Sequence, residues 1–201
     1  MRCDMNASTP TLIPLRQRRL LGVLPLVFYA LHTVKHVHAG DPGNMLWACH
    51  LSNLLIGVGL LANWRAGVAA GLLWLSVGVS LWIGWLTGGG DFSITSALTH
   101  VGGVAVGVWA IRRMSWPRGV WWKAWLAIPL LQLICRLTTP AELNVNIAHK
   151  VWEGWEQTFP SYPLYLALLL GATATIFVVV EQGFRRLPFL QPPTPTANVD
   201  D

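Results

Sequence analysis

Charge is scarce in this chain. Asp, Glu, Lys and Arg make up 11% of it, against about 25% in a soluble domain. Residues 66–90 and 162–180 contain none of these, and no His either. An ordinary water-soluble domain is thereby excluded. Cysteine is scarce as well: Cys3, Cys49 and Cys135 show no CxxC spacing, and the last two lie inside apolar runs. That excludes a disulfide framework. There is no HExxH zinc signature and no GxSxG nucleophile elbow, so two common signatures of hydrolytic enzymes are missing. Acidic residues are the minority, nine against fourteen Lys and Arg. In a soluble protein the resulting +5 would invite nucleic acid, but here the basic residues flank apolar runs. Topology and anionic lipid headgroups explain them, and no nucleic-acid partner is expected.

What the sequence does have is apolar length. A helix needs roughly 20 residues to cross a hydrocarbon core of about 30 Å, and spans are expected at about 20–36, 45–63, 66–87, 93–111, 119–138 and 162–181. The fold class is therefore all-α, a polytopic membrane bundle of six helices. It forms a single domain over residues 1–187, followed by a disordered Pro-rich tail over 188–201. Six spans place both termini on one side. Arg2, Arg16, Arg18, Arg19, Arg65, Arg112, Arg113, Arg118, Lys123, Arg185 and Arg186 fall there, while Lys35, Arg136 and Lys150 fall opposite. That asymmetry predicts cytoplasmic termini and a multi-pass protein of the cell membrane, the inner one in a Gram-negative source. Tryptophans at the span ends, Trp82 and Trp85 among them, suit an interfacial belt. Gly103 and Gly107 form a GxxxG pair expected to let helices approach closely.

The unusual polar residues collect at the outer end. His32, His36 and His38 close the first span, His50, Ser52 and Asn53 lie near the outer end of the second, and Ser96 and His100, at i and i+4, share a face of the fourth. Arg136 ends the fifth, and Asn144, Asn146 and His149 follow in a loop. Polar groups within a span are costly unless they face the bundle interior, so His50, Asn53 and His100 are expected to point inward. His32 and His36, at i and i+4, share a face if the first helix persists that far. A functional pocket is expected to open outward between the second, fourth and fifth spans.

The segment Trp47-Ala48-Cys49-His50-Leu51-Ser52-Asn53, followed by four further spans, resembles the YwaF-like integral membrane family over about residues 45–180. That resemblance implies a six-helix bundle and, from one branch of the family, acyl transfer on phospholipids. His50 takes the place of the motif histidine, and Ser52 stands where the family has cysteine. On this reading the protein is a lipid-modifying enzyme with membrane lipids and a small lipid-like ligand as partners. Ser52 or Cys49 is its nucleophile and His50 or His100 its base. Asn53 or Asn146 serves as oxyanion donor, and Arg136 binds a lipid phosphate through its guanidinium fork. Imidazoles at one depth on separate helices also suit a haem or a metal ion. His50 and His100 form the haem pair, and His32, His36 and His149 with Asp91 form a divalent-metal set. A small transporter or assembly factor is the third reading.

Overall fold

The computed structural model describes residues 13–191. Among these, six helices and a few single turns form a bundle without strands. They are α1 Leu15–His38, α2 Ala48–Leu61, α3 Arg65–Thr87, α4 Ile94–Met114, α5 Val120–Thr138 and α6 Tyr162–Arg186. All but α2 are long and apolar enough to cross a membrane, so the chain has the helices of a multi-pass membrane protein. The exposed surface is itself apolar, with Leu20, Val34, Leu137 and Val179 all outward, as a lipid-facing surface requires. Of the tail expected to be disordered, Pro188–Leu190 forms a 3-10 turn, and 192–201 lie outside the described residues, as does Cys3.

The second span departs most from expectation. In place of a helix over 45–63, Pro42–Leu46 form a 3-10 turn, Trp47 is extended, and only Ala48–Leu61 are α-helical. Fourteen residues reach about 21 Å at 1.5 Å each, short of the hydrocarbon thickness. The helix is wedged between α1 and α3, and glycine makes that fit. A Cβ at Gly57 would collide with Leu26 of α1, and one at Gly71 with Ser52 and Ile56. The expected packing role of Gly103 and Gly107 is visible in the same way, since they lie against Asn53 and Leu72. At the end where α1 finishes, residues 39–47, 88–93 and 139–161 gather into a loop-rich cap.

α4 is not regular either. Its first turn, Ile94–Ala97, is capped by the Ser93 hydroxyl accepting from the Ser96 N–H at 3.2 Å. A π-turn follows at Leu98–Gly102 before α-helix resumes at Gly103. The Thr99 carbonyl accepts a hydrogen bond from Asn53 Nδ2 at 3.1 Å, pinning α4 to α2. Single π-turns of this kind gather at functional sites. This one carries His100.

At the opposite end, Glu181 of α6 is buried and accepts from the Gly119 and Trp121 N–H groups at 2.8 and 3.0 Å. It thereby satisfies the first, otherwise orphaned, donors of α5. Replacing Glu181 by Ala strands both donors, and the expected cost is about 3 kcal/mol. Thermal unfolding in detergent reads this directly, with Glu181→Gln, which keeps one acceptor, falling between the two.

Candidate functional site

His32, His36, His50 and His100 converge beneath the loop-rich cap. His32 and His36 do share a face of α1, because the helix runs on to His38. Their ring centroids are 4.7 Å apart, those of His32 and His50 4.4 Å, and those of His50 and His100 5.9 Å. His32, His50 and His100 are 3%, 6% and 3% exposed. Asn53 is fully buried beside them, so the three groups expected to face inward all do so.

Each imidazole is held at one nitrogen by an oxygen. His36 Nδ1 lies 3.0 Å from Asp41 Oδ1, His32 Nδ1 3.0 Å from Thr95 Oγ1, His50 Nδ1 2.8 Å from the Asn44 carbonyl and His100 Nδ1 2.9 Å from the Ser96 carbonyl. Carbonyls and carboxylates only accept, so three of these Nδ1 atoms must carry the proton. In the neutral rings their Nε2 atoms are then acceptors, and His32 Nε2 can donate to that of His36 when its Nδ1 accepts from the Thr95 hydroxyl. His36 Nε2 and His32 Nε2 stand 3.3 Å apart. Suitable atoms of His32, His36 and His50 all lie within 4.8 Å of one another, and so do those of Cys49, His50 and His100. His50 belongs to both groups.

The residues that orient these rings come from short local devices. Residues 39–47 supply two of them. Asp41 also accepts from Asn44 Nδ2 at 2.7 Å, and Asn44 accepts from Trp47 Nε1 at 3.1 Å while its carbonyl holds His50. Burial pushes the Asp41 carboxyl up, but hydrogen bonds with His36 and Asn44 outweigh it and hold the group below its ordinary value. The capped first turn of α4 supplies Thr95 and Ser96. Trp82 stacks on His100 at 5.0 Å with planes 3° apart, and so serves the site as well as any interfacial belt. Sequence reasoning missed Asn44, Thr95 and Trp82 in these roles. The Ser93–Ser96 cap was a legible signal for the α4 turn, but nothing local marked Trp82.

The other expected site residues are placed differently. His149 is not in either group, and Asp91 is exposed, so the carboxylate beside the histidines is Asp41. Ser52 is fully buried and its hydroxyl donates to the Cys49 carbonyl, and among the described residues it makes no hydrogen bond with an imidazole. Asn53 Nδ2 is spent on the Thr99 and Cys49 carbonyls. Asn146 accepts from the Ala48 N–H at 2.8 Å and donates to the Leu46 carbonyl and Cys135 Sγ. It is a clamp on the start of α2. Arg136 donates to the Ala148 carbonyl at 3.1 Å and has no carboxylate partner among the described residues.

The cavities also differ from expectation. Two cavities lie between α2, α3, α5, α6 and the 145–159 loop, and no residue of α4 lines either of them. No family model, curated protein or solved structure matches this chain.

Proposed function

We propose that this membrane protein binds a first-row transition-metal ion through His32, His36 and His50, with His100 beside the fourth position, on the outer side of the membrane. One observation carries the reading: His32, His36 and His50, from two helices, bring one ligand atom each within 4.8 Å of one another, and His36 and His50 are each held at Nδ1 by an oxygen acceptor. Metal-ligating histidines are oriented in this manner, by an oxygen acceptor on the second nitrogen. Zinc–nitrogen bonds of about 2.0–2.1 Å put neighbouring nitrogens of a tetrahedron about 3.3–3.4 Å apart, and the His32–His36 pair stands at 3.3 Å. Imidazole sets of this kind suit zinc, copper, iron or nickel rather than calcium or magnesium.

The haem reading has less support. A macrocycle between His50 and His100 needs a flat slot, whereas His32 packs at 4.4 Å against one ring and Trp82 at 5.0 Å against the other. Acyl transfer has less support too, because a serine nucleophile needs a hydrogen-bonded base and Ser52 bonds a carbonyl instead.

Purification in mild detergent, dialysis against Zn(II) or Co(II) and elemental analysis test the proposal. About one ion per chain is expected, with a tetrahedral Co(II) absorption spectrum. Metal-free protein after loading overturns it. Asp41→Asn keeps an acceptor for His36 but removes the charge, and the expected result is a 10–100-fold weaker metal affinity with unchanged stoichiometry at saturation. Isothermal titration in a competing chelator measures it.

A further inference from the structure

The larger cavity is lined at the loop-rich end by Trp85, Trp152, Trp155, Phe159 and Tyr165, from α3, the 145–159 loop and α6. Its volume is about 690 Å³, within the range of sites that enclose a small molecule. Glu153 is the single charged residue on its wall, and no Lys or Arg lines it. Glu153 has no ion-pair partner among the described residues. A smaller, mostly apolar chamber lies deeper, lined by Val77, Ile128, Leu170 and Phe177. The two share Leu81, Ile147 and Leu169 as common walls. The inner chamber reaches Cys49, one of the residues grouped with His50 and His100. Gly78 keeps that end open for the thiol, since a Cβ there would collide with Cys49 Cβ.

We infer that this cleft binds a membrane lipid carrying an ammonium headgroup, with the headgroup among the tryptophans beside Glu153 and the apolar part directed toward the inner chamber. Aromatic faces attract cations through their quadrupole, and cages of aromatic residues recognise quaternary ammonium groups. A carboxylate without a cationic neighbour adds charge attraction and repels a purely anionic headgroup. The apolar inner wall takes no headgroup and suits hydrocarbon. The site stands on the cavity and its lining, independently of the metal reading, although Cys49 joins the two.

The test uses the full-length protein in anionic phosphatidylglycerol vesicles, with tryptophan fluorescence quenched by brominated lipids added in turn. Brominated phosphatidylcholine or phosphatidylethanolamine should quench saturably and at least about five-fold more strongly than brominated phosphatidylglycerol. Choline and ethanolamine forms share the ammonium, and a preference between them names the source. Glu153→Gln should abolish the discrimination, and Trp155→Ala should weaken binding of the ammonium lipid, both with metal content unchanged. Equal quenching by all lipids, or wild-type discrimination in Glu153→Gln, overturns the inference. Loss of metal from the wild type with lipid discrimination intact would instead overturn the metal proposal alone.

Discussion

His50→Ala is expected to reduce bound metal from about one ion per chain to under a tenth, at a metal concentration that saturates the wild type. His50 is the one residue common to both ligand groups, so its loss leaves no three ligands within reach of one another among the described residues. Orienting partners alone are worth 10–100-fold in metal affinity, and a ligand must exceed that. The substitution also removes the bond from His50 Nδ1 to the Asn44 carbonyl, which keeps only the Trp47 N–H at 3.4 Å, a cost of about 1 kcal/mol of stability. His38→Ala is the control. His38 sits on the same helix end, exposed and outside the cluster, and should leave metal content at the wild-type value. Elemental analysis of the three proteins, alongside thermal unfolding, separates loss of ligand from loss of fold. Equal depletion by both variants would mean that the metal is bound by surface imidazoles, and the buried centre would be wrong.

Asn146→Ala is expected to be the most destabilising single change in the loop-rich cap, at about 3 kcal/mol. Its side chain makes three bonds: those to the Ala48 N–H and Cys135 Sγ join the cap to the start of α2 and to α5, and that to the Leu46 carbonyl ties two segments of the cap together. Removing it leaves a partly buried donor and a partly buried acceptor without this partner. Its backbone φ is +52°, a left-handed conformation that Asn tolerates and Ala resists. Because α2 begins two residues before His50, fraying there should carry the imidazole off position. A 10–100-fold loss of metal affinity is expected with the loss of stability, by analogy with other orienting residues. Hydrogen exchange at the amides of Ala48–Leu51 reads the fraying. Stable protein with protected amides would show that Asn146 is not the clamp.

The spans were legible because hydrocarbon imposes a length and a composition on any helix that crosses it. The inward placement of His50, Asn53 and His100 was legible for the same reason: polar groups in lipid need partners. Their company was not. His32 and His36 reach His50 because α2 starts late, at Ala48, after Trp47 turns extended, and no periodicity marks that break. His100 reaches them through a π-turn, which shifts every later side chain around the helix by part of a turn and leaves no signature in a 3.6-residue pattern. Asp41 and Asp91 look equivalent in sequence, each beside a span. Only the 39–47 segment folding back on α1 brings the first to His36.

X-ray absorption at the edge of the bound metal tests the central claim most directly. The account predicts a first shell of at least three imidazole nitrogens at about 2.0–2.1 Å, with the outer-ring scattering that imidazole gives, and its disappearance in His50→Ala. A shell dominated by oxygen, or one built on sulfur at about 2.3 Å and retained in His50→Ala, would contradict it.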